Sequence, residues 1–336
     1  MWRVMTAALL IGGSVVPASP AADEGRVLTF RDPRITESSG LVDLGSLMVT
    51  TNDSGNPSEL FVVSAATGNT VGVTDFHADT VDVEALAPAG GSTVWVGDIG
   101  DNRGDRKSIA VYRVTVGPGQ IDAHPAKYRL VYPRGAHDAE SLFVDRQGRL
   151  YVITKSFLGG TVYRAPLPLG PNRPNRMQPV GRVIEYATDA AMLPDGHHVL
   201  VRGLGRASVY AFPGFKRLGS FVLPRQPQGE GVSVGPGSRI RLSSEGVRSV
   251  VRQMAIPDDV AQGMRPTSPS TTPSTTPSPS PPVSPTPRGT ASRPFDKVAK
   301  PEDAGIQDDR WLMWSIPGAI VLGAVGIAFG LRRRSE

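Results

Sequence analysis

The run Asp138-Ala139-Glu140-Ser141-Leu142-Phe143-Val144 is followed, after a Gly-containing turn, by Leu150-Tyr151-Val152-Ile153 and then by Val162-Tyr163-Arg164. These are three short strand-like runs punctuated by turn residues. The same order of events occurs four more times. Glu37-Ser38-Ser39-Gly40-Leu41-Val42, Asp82-Val83-Glu84-Ala85-Leu86-Ala87, Thr188-Asp189-Ala190-Ala191-Met192-Leu193 and Gln228-Gly229-Glu230-Gly231-Val232-Ser233 open the other units. Leu41, Leu86, Leu142, Met192 and Val232 are spaced by 45, 56, 50 and 40 residues. A repeat of that length, built of short strands, is the signature of propeller blades.

Second strands are expected at Leu47-Met48-Val49-Thr50, Val94-Trp95-Val96, Leu150 to Ile153, Val199-Leu200-Val201 and Ile240-Arg241-Leu242. Third strands are expected at Leu60 to Val63, Val111 to Val114, Val162 to Arg164, Val209 to Phe212 and Val247 to Val251. Fourth strands fall near Val71-Gly72-Val73, Tyr128 to Val131, Val183 to Tyr186 and Phe221 to Leu223. The fifth unit lacks one, and the unclaimed run Arg26-Val27-Leu28-Thr29-Phe30 can supply it, closing the ring. The reading is an all-β, five-bladed β-propeller over residues 23–263. Six blades, with a degenerate blade in the long second or third unit, is the alternative, and a β-sandwich stands behind both.

Both ends of the chain read as addresses. Arg3, the uncharged run Val4 to Val16 and Pro17-Ala18-Ser19-Pro20-Ala21-Ala22 make a secretory signal peptide over residues 1–22. An uncharged run from Trp311 to Leu331 is long enough for one transmembrane helix, at about 1.5 Å per residue. Arg332-Arg333-Arg334 would hold residues 332–336 on the cytoplasmic side. Between Pro266 and Pro287, 21 of 22 residues are Pro, Ser or Thr. Such a segment buries no core, so residues 264–310 are expected to be an extended stalk. The expected organisation is a single-pass cell-membrane protein with an extracellular head and a membrane partner at its C-terminal helix.

Composition narrows the chemistry. Cysteine is absent, which excludes disulfides, thiolate metal sites and cysteine nucleophiles. The chain has no G-x-S-x-G, H-E-x-x-H or P-loop, and its five histidines are scattered. Only His137, next to Asp138, lies where an acid/base could act, and the competing reading is a loop histidine. Basic residues are not interleaved with aromatics, and a secreted address argues against nucleic acid.

Charge is polarised along the head. Residues 23–100 hold 3 basic and 12 acidic residues, net −9, whereas residues 101–263 hold 23 and 13, net +10. In a propeller, the starts of the inner strands and the ends of the second strands share one face. Glu37, Asp82, Glu84, Asp138, Glu140 and Glu230 belong to the first set. Asn52, Asp53, Asp98, Asp101, Asn102, Lys155, Arg202 and Glu245 belong to the second. All should rim one mouth of the channel, where ligands tend to bind. Crowded carboxylates repel unless a cation neutralises them, and oxygen-only ligands favour Ca²⁺. A calcium site on Glu37, Asp82, Glu84, Asp98 and Asp101 is therefore one expectation. Ligand or channel-mouth roles are expected for Glu140, Asp138, Lys155, Arg202, Glu230, Asn52, Asp53 and Asn102. The competing reading is that Asp and Asn in such turns bond to their own backbone.

Asn52-Asp53-Ser54-Gly55-Asn56, then Asp82-Val83-Glu84, then Gly97-Asp98-Ile99-Gly100-Asp101-Asn102-Arg103 occur in that order. They resemble the N-D-S-G, D-W-E and G-D-x-G-D-N motifs of a family of bacterial extracytoplasmic propellers. That family is broadly similar to TolB-like and regucalcin/gluconolactonase-like propellers, which typically have six blades. The resemblance covers residues 36 to 106, and Val83 stands where the family has tryptophan. It implies a propeller outside the cytoplasm and leaves activity open. Two functional classes follow. One is a cell-surface binding or scaffolding head for a glycan, peptide or protein. The other is a metal-assisted hydrolase of lactone or phosphoester type, with Glu84 or Glu140 as base.

Overall fold

Residues 25–265 are described by the computed structural model. The segments read as signal peptide (1–22), membrane span (311–331) and tail (332–336), and all but the first two residues of the stalk, lie outside the described residues. Among the described residues, no helix is long and apolar enough to cross a membrane.

The chain opens with β1 (Arg26–Thr29) and then lays down blade 1 as β2 (Ser38–Asp43), β3 (Leu47–Asn52), β4 (Glu59–Ser64) and β5 (Thr70–Asp75). Blade 2 follows with β6 (Val83–Pro88), β7 (Thr93–Asp98) and β8 (Ile109–Thr115). The chain then crosses back as β9 (Gly119–Asp122) before completing blade 2 with β10 (Lys127–Val131). Blade 3 is β11 (Ala139–Val144), β12 (Leu150–Thr154), β13 (Thr161–Arg164) and, after the short β14 (Asn175–Arg176), β15 (Gln178–Arg182). Blade 4 is β16 (Asp189–Met192), β17 (His198–Arg202), β18 (Arg206–Ala211) and β19 (Arg217–Val222). Blade 5 is β20 (Gly229–Val234), β21 (Ile240–Ser244) and β22 (Val250–Met254), and a short helix α1 (Asp258–Gly263) ends the described chain.

These strands make five sheets, each built on an antiparallel four-stranded blade. The inner strands β2, β6, β11, β16 and β20 neighbour one another in cyclic order, so the ring is closed. Closure is made by β1, which pairs antiparallel with β22 as the outer strand of blade 5. Leu28 and Phe30 anchor it in the core shared with blade 1. The extra length of the second and third units is not a hidden sixth blade. It supplies β9, which adds parallel to β5 of blade 1, and β14, which adds parallel to β10 of blade 2. These outer strands tie consecutive blades together and cover edges that would otherwise be open.

Two strands lie elsewhere than the apolar runs suggest. The fourth strand of blade 3 is Gln178–Arg182, not Val183–Tyr186. An outer strand is solvated, so its residues need not be apolar. Val183 instead crosses toward blade 4 and is buried in the core between the two blades. The third strand of blade 5 starts at Val250, not Val247, because residues 245–249 are used to reverse the chain, with Arg248 at φ 59°.

Candidate functional site

The inner strands carry the site, and their register explains how. Counted back from Leu41, Leu86, Leu142, Met192 and Val232, the residues three before are Ser38, Val83, Ala139, Asp189 and Gly229. Each pairs with the last residue of the second strand of its blade: Asn52, Asp98, Thr154, Arg202 and Ser244. In blades 1, 2, 3 and 5 the register then slips by one residue on the inner strand, whereas in blade 4 it does not. Such bulges re-aim side chains. The bulged level holds Ser39, Glu84, Glu140 and Glu230, and blade 4 supplies Ala190. One level further out stand Glu37, Asp82, Asp138, Thr188 and Gln228. The mouth of the channel is thus a cup of carboxylates. Below it, the axis narrows to a cavity of about 40 Å³ lined by Leu41, Leu86, Leu142 and Val232.

Asp53, Asp82 and Glu84 come together: their carboxylate oxygens lie within 4.8 Å of one another. Asp82 and Glu84 are 7% and 5% exposed, and Asp82 Oδ1 has no hydrogen-bond partner. Asn102 Nδ2 lies 3.4 Å from Asp82 Oδ2, and Ser39 donates to Glu84 Oε2 at 3.2 Å. Burial, with Asp53 and Asp82 close by, pushes the Glu84 carboxyl up to about 9. Burial and Asp53 raise Asp82 as well. Beside these residues lies a cleft of about 410 Å³, bordered by Ser54, Val81, Gly100 and Asn102.

Across the cup, Lys155 is ion-paired with Glu140, whose Oε2 is buried without a partner. The Lys155 ammonium also lies over the Tyr186 ring, 5.2 Å from its centre. Glu230 is raised to about 7, chiefly by burial, with Lys155 and Arg202 opposing. Glu245 is raised by burial and by Asp53 and Glu37.

Other carboxylates at the mouth are engaged in building it. Asp98 is fully buried, and its Oδ1 accepts from the amides of Val81 (3.1 Å) and Asp82 (2.9 Å) and from Arg106 (2.9 Å). Asp101 accepts from the amides of Asp105 and Arg106, which shapes its own turn. Asp138 Oδ1 accepts from the Asp101 amide at 2.8 Å, and Glu37 Oε2 accepts from Asn56 at 2.8 Å. Asn52 takes the place that Asp98 has in blade 2, accepting from the amides of Thr36 and Glu37. His137 packs on Tyr132 and Tyr163 and bonds to the Tyr163 hydroxyl.

Arg202 is buried and fixes the bulge of the next blade. Its guanidinium donates to Gly231 O at 2.5 Å and to Ser243 O at 2.9 Å, while Asp189 Oδ2 accepts from the Val232 amide at 2.7 Å. Burial lowers Arg202 to about 10 and raises Asp189 well above the carboxylate range. Asp189, Ser39, Gly100 and Arg106 are site-building residues that a search for ligand-like side chains passes over. Only the equivalence of Asp189 with Val83 and Ala139, where polarity is unexpected, signals one of them.

No protein-family model matches the chain, and no curated protein matches it in sequence. Solved structures that align with it include the PQQ-bound aldose sugar dehydrogenase of Streptomyces coelicolor (10% identity, TM-score 0.43, 68% of this chain and 95% of that one). Others are a calcium-binding regucalcin of Agrobacterium tumefaciens (13%, TM-score 0.42, 66% and 76%) and a gluconolactonase of Xanthomonas campestris (15%, TM-score 0.42, 71% and 84%). The chain therefore has regucalcin-like and gluconolactonase-like propellers among its structural neighbours, with five blades of its own.

Proposed function

We propose that this chain is a membrane-anchored, cell-surface propeller whose cup binds a divalent cation, calcium first, and with it an extracellular glycan, peptide or protein. The observation that carries this reading is the buried, unpartnered Asp82 Oδ1 beside the carboxylates of Asp53 and Glu84. A carboxylate oxygen without a donor in a buried place is costly unless a cation meets it. The donors are oxygens alone, which suits calcium. Three carboxylates do not fill its six to eight positions, so water or ligand oxygens entering from the adjoining cleft would complete them. The anchoring part of the reading rests on the uncharged run 311–331, the stalk composition and the N-terminal segment.

Calorimetric titration of calcium into the full chain tests the cation, together with thermal melts in calcium and in chelator. One site per chain and a higher melting temperature in calcium are expected. Equal melting temperatures would sink the proposal.

A metal-assisted hydrolase is the second reading, favoured by one observation. Glu230, raised to about 7, faces the same cup as the Glu140–Lys155 pair. A carboxylate held near neutrality is suited to take a proton from an attacking water. Turnover of lactone or phosphoester substrates that is lost in Glu230→Gln would decide for it.

A further inference from the structure

Three successive hairpin turns on the mouth face end in exposed apolar side chains. Phe157 and Leu158 cap the β12–β13 turn at 90% and 89% exposure, Leu204 the β17–β18 turn at 63% and Val247 the β21–β22 turn at 57%. The equivalent turns of blades 1 and 2 are polar: Asp53-Ser54-Gly55-Asn56 and Asp101-Asn102-Arg103-Gly104-Asp105. Topology is the same in all five, so the difference is chemical. Of the nine large apolar side chains exposed among the described residues, seven lie on this face and only Val71 and Leu167 on the other.

Each apolar tip has an exposed arginine beside it. Arg182 reaches Leu158 O at 3.4 Å, Arg206 lies two residues after Leu204, and Arg248 follows Val247. None of the three forms an ion pair among the described residues; Arg206 meets only the Ser220 hydroxyl. Between Ile184 and Leu204, a cleft of about 260 Å³ is flanked by Arg206 and Arg217.

We propose that the turn face of blades 3 to 5 docks on an anionic lipid bilayer. The apolar tips enter the boundary between headgroups and acyl chains, and the arginines meet lipid phosphates. Separate protruding tips, each with a cation at its base, suit a soft interface into which each can sink alone. A protein partner is better served by one contiguous apolar patch. Charge complementarity favours anionic headgroups. The sequence places the uncharged run 311–331 only some 45 residues after the described head, so a bilayer is within its reach. This inference is independent of the cation site, which uses blades 1 and 2.

The chain has no cysteine, so a single one can carry a unique probe. Full-length Leu158→Cys, labelled with an environment-sensitive fluorophore, is mixed with vesicles of phosphatidylcholine alone or with added phosphatidylglycerol. Leu167→Cys is the control on the opposite face. Insertion of the 311–331 run would affect both labels alike. The expected result is a blue shift at position 158 only, dependent on phosphatidylglycerol, reversed by high salt and at least halved in an Arg206→Gln/Arg248→Gln background that melts like the parent. Equal emission in both vesicle types, or equal shifts at both positions, would overturn the proposal. So would a shift in phosphatidylcholine that grows with protein density, which would mean self-association. A shift abolished by chelator would assign the contact to the cation and overturn the role given to the arginines.

Discussion

Gly100 lies against the Asp82 carboxylate: a Cβ on this glycine would overlap Asp82 Oδ2 and stand 2.8 Å from Glu84 Oε1. The glycine is needed here for space, not for a left-handed backbone. Gly100→Ala should push the two carboxylates apart with little change to the surrounding sheet. Calcium affinity is expected to fall at least tenfold, about 1.4 kcal/mol, while the cation-free protein melts near the parent. Calorimetric titration of the variant checks this.

Proton uptake by the cup sets a pH dependence. Glu84 is pushed up to about 9 and Glu230 to about 7 from an ordinary 4.5. Carboxyls raised by folding give stability that is complete below about pH 4.5 and is lost as pH rises, through about 7 for Glu230 and 9 for Glu84. The cation-free head should therefore melt lower at about pH 8 than at about pH 5, by up to roughly 1 kcal/mol per pH unit for each group. Glu84→Gln should flatten part of that slope, and calcium should offset it. Melting curves over this range in chelator and in calcium are the measurement; a melting temperature rising with pH would contradict the assignment.

Arg202 holds the bulge of blade 5 from blade 4. Its removal leaves Gly231 O, Ser243 O and Gln226 Oε1 without their donor. Arg202→Leu is expected to cost about 2–5 kcal/mol, at about 1–3 kcal/mol for each buried carbonyl left unsatisfied. Arg202→Lys should recover little, because one ammonium cannot reach the same spread of acceptors. Denaturant unfolding of both variants distinguishes this from a surface role, which would cost under about 0.5 kcal/mol.

Ring closure depends on the first strand. Phe30 is fully buried, and its amide donates to Ser249 O at 3.0 Å. Phe30→Ala should cost about 3–5 kcal/mol. Deleting residues 25–32 should destabilise the head more than shortening an exposed turn. Denaturant midpoints of the full chain and the two variants test this.

The five units, their strand order and the closing role of the N-terminal run were legible because they rest on local periodicity and spacing. The inner, second and third strands announce themselves by short apolar runs, and most turns by Gly, Asn or Asp. An outer strand does not: Gln178–Arg182 is mostly polar and solvated, while the apolar Val183 just past it belongs to the core between blades. The polarity of the mouth was also readable, since topology alone brings inner-strand starts and second-strand ends to one face.

Which carboxylates meet is a different matter. Asp98 and Asp82 look equally ligand-like in the chain, and each keeps one oxygen unpartnered, but the other oxygen of Asp98 is bonded to the amides of Val81 and Asp82 and to Arg106, whereas Asp82 lies against the carboxylates of Asp53 and Glu84. Asp53, in a turn of the neighbouring blade, completes the cluster across the gap between blades. Those relations depend on the one-residue slip that re-aims Glu84 and on how closely blades 1 and 2 approach. A slip of register changes the face a side chain takes without changing the apolar pattern that marks the strand. The distance between blades is set by packing around the whole closed ring, and no local stretch of residues encodes it.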